Sequence, residues 1–214
     1  MVPNLLTAIM ESALVEEIVS KFEGSSPRAS IDHPAANVPA DLLTSVAQWL
    51  RDAKGFDMLM DVTSIDFSED ASPRFTGVYH FANSMKHEYV RIAADCLDDV
   101  EPELPSLSKI YPAADWHERE NFDLMGIKYQ GHPDMRRILM WEAYPYHPLR
   151  KEFPLAGIET ELPAADVAEA TQAKVIAAPM MGGPFHSPQT GAMSKREPRA
   201  ADESWTEAKP KPKN

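Results

Sequence analysis

The sequence is poor in cysteine, in positive charge and in long apolar runs, and each shortage excludes a class of protein. Cys96 is the single cysteine among 214 residues, which excludes a disulfide framework within the chain and an iron–sulfur cluster held by this chain alone. No stretch approaches the ~20 consecutive apolar residues that cross a bilayer. The formal net charge of −12 disfavours a nucleic-acid partner, because phosphate binding requires a concentrated positive surface.

Acidic residues also bear on the expected location of the chain. Glu11, Glu16 and Glu17 interrupt the apolar residues near the N-terminus, so we expect no secretory signal there. Cys96 has acidic neighbours on both sides, which disfavours a thiolate. We interpret it as a small semi-buried residue in a reducing, cytoplasmic compartment.

Two amphipathic helices are predicted before residue 56. The second begins after Asp41 and ends at Gly55, a residue suited to the left-handed position that follows a helix. The first has an apolar stripe with helical spacing, formed by Leu6, Met10, Leu14, Ile18 and Phe22.

The apolar period then changes to two, which is typical of strands. Strands are predicted over residues 75–82 and 87–94, and a preceding strand is predicted to bury Phe56, Met58, Met60 and Val62. Three consecutive strands with short connections form an antiparallel sheet, and a sheet buries one face beneath other elements. The predicted fold class is α+β, with two N-terminal helices covering an antiparallel sheet.

Composition changes again near residue 154. Residues 155–214 contain seven of the 19 prolines and few large apolar residues, so this segment has little surface with which to form a core. We predict an α+β core domain over residues 1–153 and a Pro-rich, extended or partly disordered tail over 154–214. One short helical stretch is expected near residues 164–178, and Met180, Met181 and Phe185 are candidate anchors in a partner's groove.

The most informative part of the chain is the signature segment, residues 112–141. Its helix is predicted to end at Met125, because Gly126 supplies the left-handed residue and Ile127 the apolar contact of a Schellman ending. Carboxylates alternate with large apolar side chains along this helix, so some must be partly buried, and buried carboxylates require partners. We predict one salt-bridge cluster, formed by Glu118, Glu120, Asp123, Arg136 and Arg137.

Two consecutive motifs in the signature segment resemble the hallmark of a known family. Residues 118–127 read Glu-Arg-Glu-x-Phe-Asp-Leu-x-Gly-Ile, and residues 128–139 read x-Tyr-x-Gly-His-Pro-Asp-x-Arg-Arg-Ile-Leu. This pattern is similar to that of the 30 kDa-type subunit, also called the C subunit, of the proton-translocating NADH:quinone oxidoreductase, respiratory complex I. Tyr146, Arg150 and Phe153 resemble its usual continuation. Met125 is a departure, since the family typically has Phe or Tyr at that position.

The resemblance implies a non-catalytic structural and assembly subunit in the peripheral arm of complex I. It implies no catalytic residue, metal or cofactor in this chain, with FMN, iron–sulfur clusters and quinone held by partner subunits. It also implies that the C-terminal tail wraps the subunit that forms most of the quinone pocket, on the cytoplasmic face of the cell membrane, with membrane contact only through partners. The implied structural and interface residues are Trp116, Glu118, Arg119, Glu120, Phe122, Asp123, Gly126, His132, Pro133, Asp134, Arg136 and Arg137.

Two alternatives remain open from the sequence. The equivalent subunit of a membrane-bound hydrogenase or related complex shares this signature. A stand-alone metal-dependent hydrolase would use His117, His132 and nearby carboxylates, although Asn121 occupies the position where a zinc helix motif has its second histidine. His80 and His87 flank a hairpin loop and form a weaker candidate for a metal site.

Overall fold

The computed structural model describes residues 12–154, 157–158, 160–161 and 164–175. The chain divides into two compact units, residues 1–142 and 143–214, a division that falls before the predicted boundary at residue 153. The first unit contains the sheet and the signature segment. Its mixed α+β architecture confirms the predicted fold class.

The first unit contains three α-helices, one 3₁₀-helix (Ala40–Leu42) and seven strands among its described residues. The helices are α1 (Ala13–Lys21), α2 (Leu43–Lys54) and α3 (Ala114–Met125). The strands are β1 (Ser26–Pro27), β2 (Ala35–Asn37), β3 (Met58–Asp66), β4 (Phe75–Asn83), β5 (Glu88–Asp95), β6 (Glu103–Pro105) and β7 (Lys128–Gln130).

Strands β3, β4 and β5 form the predicted antiparallel meander. The full sheet has five strands in the order β1-β2-β5-β4-β3, and β2 runs parallel to β5. Strand β3 therefore lies at one edge. The short β6 and β7 pair in parallel as a separate two-stranded ladder, which connects the chain before α3 to the chain after it.

One face of the sheet supplies the hydrophobic core together with α1 and α2. Ile18 from α1 and Leu50 from α2 are fully buried in the same cluster as Tyr79, Phe81 and Ile92 of the sheet. Burial of each Ile, Leu or Phe side chain among these contributes about 1.5–3 kcal/mol to the stability of the fold. Helix α2 ends at the predicted Gly55, whose φ of 77° suits glycine because it has no Cβ to clash.

The predicted inward positions of β3 are wrong in its first half. Leu59 is buried in the core, whereas Met58 and Met60 are each almost half exposed. The pairing with β4 shifts between Leu59 and Asp61, and such a bulge moves the following side chains to the opposite face. Val62 is buried as predicted.

The second unit is described only in part. Helix α4 (Ala165–Thr171) lies within the predicted stretch, but Lys174–Val175 form strand β9, which pairs with β8 (Thr160–Glu161). No residue of α4 is buried. The candidate anchors Met180, Met181 and Phe185 lie outside the described residues.

Candidate structural site in the signature segment

Helix α3 is attached to the edge of the sheet by one buried amide. The Asn121 side chain donates to the Val62 carbonyl at 2.6 Å and accepts from the Ser64 hydroxyl at 2.6 Å. Both partners belong to β3, whose edge would otherwise present an unpaired backbone carbonyl there. Sequence reasoning missed this role. The available signal was a polar amide on an apolar helix face.

The end of α3 is set by Gly126, as predicted. Its φ is 78°, and its N–H donates to the carbonyls of Phe122 (2.9 Å) and Asn121 (3.2 Å). Ile127 is fully buried directly afterwards, and Met125 packs partly buried against the core. The departure from the family pattern at Met125 is therefore accommodated within the core.

Asp123 connects the end of α3 to residues 137–140. Its Oδ2 accepts from the backbone N–H groups of Ile138 (3.0 Å), Leu139 (2.6 Å) and Met140 (2.8 Å), and its Oδ1 accepts from Arg137 Nη1 at 2.6 Å. Burial alone would raise the pKa of this fully buried carboxyl, but the three N–H groups and the guanidinium outweigh burial and lower it. Asp123 is therefore a charged structural residue.

Glu118 is buried as completely as Asp123 but has different partners. Its Oε1 accepts from the Leu107 N–H at 2.7 Å, and its Oε2 lies 2.6 Å from Ser106 Oγ. The His132 ring lies beside it, with Nε2 4.0 Å from Oε2. Burial raises the pKa of Glu118 to about 7, against the lowering effect of the Ser106 and Leu107 hydrogen bonds.

Arg119 and Trp116 form a stacked pair on another face of α3. The Arg119 guanidinium lies 5.2 Å from the centre of the Trp116 ring and donates to the carbonyls of Arg136 (3.3 Å) and Arg137 (3.4 Å). Arg119 is almost fully buried, whereas Trp116 is 61% exposed. The exposed indole is therefore held in place by a buried cation.

The predicted single salt-bridge cluster is wrong in composition. Of its five predicted members, only Asp123 and Arg137 form a buried ion pair. Arg136 is mostly exposed and pairs with the neighbouring Asp134 at 2.8 Å, and Glu120 is exposed. The Arg137 side chain is therefore buried beside Asp123, whereas the Arg136 side chain lies at the surface beside Asp134.

The remaining signature residues differ in how far they are buried. Phe122 is partly buried, whereas Pro133 is exposed in the turn before Asp134. The His132 imidazole is fully buried. His117 lies beside Asp61 of β3, at 3.4 Å from Nδ1 to Oδ1.

The candidate metal ligands and the Cys96 thiol lie at separate places in the fold. Across the described part of the chain, no three His, Cys, Asp or Glu residues come together as a metal site. His80 lies 3.8 Å from Asp61, on the strand before the hairpin that leads to His87. Cys96 is buried, and burial followed by the charges of Asp95 and Asp99 raises the pKa of its thiol to about 12.

The helices of the described residues differ from membrane-spanning helices. Within the described ranges, none combines the length and apolar character that a bilayer-crossing segment requires.

Fold and site together define a class of protein: an α+β protein whose buried signature polar groups are bound to backbone and to one another. Residues 36–159 match the model of the family described as the respiratory-chain NADH dehydrogenase 30 kDa subunit. This chain belongs to that family.

Individual relatives agree with the family match. The C subunit of the NADH-quinone oxidoreductase of Moorella thermoacetica is 41% identical over 141 residues, which cover 66% of this chain and 93% of the relative. The C subunit of the Thiobacillus denitrificans enzyme is 40% identical, covering 71% and 76%. In a Sulfurihydrogenibium species, the protein named as a combined C/D subunit is 39% identical over 61% of this chain, which corresponds to 23% of its own length.

Solved structures share the fold. A trypsin-resistant fragment of Nqo5 has 23% identity and a TM-score of 0.50, covering 56% of this chain and 96% of that one. A chain of an archaeal membrane-bound sulfane sulfur reductase has 21% identity and a TM-score of 0.56, covering 75% and 90%. At these identities the likeness concerns the fold alone.

Proposed function

We propose that this chain acts as the C subunit in the peripheral arm of a NADH:quinone oxidoreductase, where it serves structure and assembly and performs no chemistry. The observation that carries the proposal is the family match over residues 36–159, together with the 93% coverage of a curated relative that bears the C-subunit name. The complex passes electrons from NADH through FMN and iron–sulfur centres to quinone, coupled to proton translocation.

The contacts of the signature segment support a structural role. Asp123 uses both carboxylate oxygens on backbone N–H groups and Arg137, and the Asn121 amide is bound between Val62 and Ser64. Groups engaged in such contacts hold α3 and residues 137–140 in one geometry. Electron transfer requires fixed spacing between cofactors, so a rigid chain without cofactors contributes by holding its neighbours in place.

The composition of this chain supports the proposal that partner subunits bind the cofactors. A single cysteine does not supply the four thiolates that an iron–sulfur cluster usually takes, and the sequence has no glycine-rich phosphate loop that follows a strand. We therefore propose that FMN, the clusters and quinone are bound by other chains.

The partner proposed for the C-terminal tail is the subunit that forms most of the quinone pocket. A relative whose name combines C and D carries both parts in one polypeptide, which supports close association of the C subunit with a D subunit. The Pro-rich composition of residues 155–214 suits a segment that becomes ordered on a partner. We place the assembly at the cytoplasmic face of the cell membrane, with this chain as a peripheral component.

Trp116 is the proposed centre of one docking contact. It is 61% exposed, stacked on Arg119, and Trp and Arg are enriched where interfaces gain most of their binding energy. Trp116→Ala is expected to reduce recovery of partner subunits at least about tenfold, which corresponds to roughly 1.4 kcal/mol or more. Quantitative mass spectrometry of the affinity-purified complex measures this effect.

The matched control for this contact is Leu97→Ala. Leu97 is 88% exposed and lies outside the signature segment. We expect both variants to unfold at the wild-type temperature and the control to recover partners normally. Equal partner recovery from the two variants would show that Trp116 is not part of the interface.

The proposed function is tested by affinity purification of this chain from detergent-solubilised membranes with identification of its partners. Co-purification of a flavin-containing NADH module and a quinone-pocket subunit is the expected result. A nickel-containing partner would instead assign the chain to a hydrogenase-type complex. Recovery of the chain alone, with stoichiometric metal that survives chelation, would support the hydrolase alternative.

A further inference from the structure

The side chains around Glu118 form a closed polar site inside the signature segment. Glu118 and the His132 ring are both fully buried. Ser106 Oγ lies 2.6 Å from Glu118 Oε2 and 2.8 Å from Ser108 Oγ, and it accepts from the Ser108 N–H at 3.1 Å. The site thus places a carboxyl and two hydroxyls in one hydrogen-bonded chain, with an imidazole beside the carboxyl.

The hydrogen bonds of His132 determine where its own proton lies. Its Nδ1 accepts from the backbone N–H of Asp134 at 3.0 Å, so that nitrogen carries no proton. The single ring proton is therefore on Nε2, which lies 3.2 Å from the Asp115 carbonyl and 3.3 Å from Asp115 Oδ1. In this geometry the imidazole is neutral, because a doubly protonated ring would place two hydrogens between Nδ1 and Asp134.

Among the described residues, the other titratable groups that face Glu118 are acidic or neutral. Asp115 lies one turn earlier on α3 and is acidic. The phenols of Tyr79 from β4 and Tyr129 from β7 are fully buried. Burial is the largest cause that raises the pKa of both phenols well above the usual value, and neighbouring groups, including Glu118, raise it further. Burial, followed by the charges of Asp95 and Asp99, also raises the pKa of the Cys96 thiol, so Cys96 is neutral.

We infer that Glu118 is a buried proton-binding site: below neutral pH the folded chain holds this side chain as a neutral carboxylic acid that donates from Oε2 to Ser106 Oγ, and above neutral pH it releases the proton. A buried carboxylate without a cation is costly, and protonation removes that cost. In the protonated state Ser106 accepts from Glu118 and donates to Ser108. On loss of the proton both hydroxyls reverse, with Ser108 donating to Ser106 and Ser106 donating to the carboxylate.

The direction of the pH dependence follows from the folded pKa of about 7, which lies above the ordinary value of 4.5. Between these two values the folded chain binds more protons than the unfolded chain, so the contribution of Glu118 to stability is fully present below about pH 4.5. This contribution is lost as the pH rises through about 7. The unfolding equilibrium constant attributable to this group should increase about 50- to 100-fold between about pH 5 and about pH 8.

The test compares the full wild-type chain with Glu118→Gln by denaturant unfolding across this pH range. An amide reproduces the protonated acid, with one donor for Ser106 and one acceptor for the Leu107 N–H. We expect the variant to lose the 50- to 100-fold change, while Glu120→Gln, an exposed position on the same helix, retains it. Parallel pH profiles for wild type and Glu118→Gln would overturn the proposal.

A second measurement does not depend on the folding of that variant. Carbon-13 NMR of glutamate-labelled wild-type chain should show one carboxyl that titrates near pH 7 and responds to Ser106→Ala. Titration of every glutamate in its ordinary range would also overturn it.

Discussion

Asp123→Ala is expected to lower the free energy of unfolding by about 3–5 kcal/mol, the range observed when one partner of a buried ion pair is removed. The substitution leaves Arg137, which is 11% exposed, beside a cavity. It also removes the acceptor of three backbone N–H groups at residues 138–140. Urea or guanidinium unfolding of the purified chain measures the change.

Arg136→Met is the matched control for Asp123. Arg136 is 62% exposed and pairs only with the exposed Asp134 among the contacts described above, so its replacement should change stability by less than about 0.5 kcal/mol. If the five residues formed the single predicted cluster, Arg136→Met would instead destabilise the fold or its assembly. Equal destabilisation by the two substitutions would contradict the division of the cluster that the structure describes.

Asn121→Leu should have the second largest effect, about 2–4 kcal/mol. Two buried groups of β3 lose their partner, the Val62 carbonyl and the Ser64 hydroxyl, and each unsatisfied buried group costs about 1–3 kcal/mol. Hydrogen exchange adds a local readout, because amides of α3 should lose protection relative to amides of β4.

The double variant Ser64→Ala with Asn121→Leu is the control for this bridge. If the Asn121 amide acts through Ser64, the double variant should be less destabilised than the sum of the two single variants. Full additivity would show that the hydroxyl contributes nothing to the attachment of α3.

Features that depend on neighbouring residues were predictable from the sequence. The strand periodicity gave the meander of β3, β4 and β5, and the glycines at 55 and 126 marked two helix ends, because only local backbone conformation is involved. The α+β class followed from helices that precede strands with one apolar face.

Features that depend on distant residues were not predictable. Strand β2 has three residues, too few to show an alternation, and its parallel pairing with β5 has no local signal. The bulge between Leu59 and Asp61 allows both Leu59 and Val62 to face the core, so Met58 and Met60 face outward. It was not predictable because pairing register is a property of two strands.

The candidate site shows the same limit. Sequence reasoning identified buried carboxylates in α3 and arginines after it, but it could not choose between the adjacent Arg136 and Arg137 as the partner of Asp123. It also missed Ser106 as the partner of Glu118, because the chain between them contains the turn that brings β6 close to α3. The roles of the signature residues as interface residues stay predictions.

The most direct test of the central claim is the NADH:quinone turnover of a purified complex that carries Asp123→Asn in this chain, divided by the amount of fully assembled complex. If the chain contributes structure only, the amount of assembled complex should fall while turnover per assembled complex equals that of the wild type. Wild-type assembly with lost turnover would contradict the claim, because it would place a chemical role in this chain.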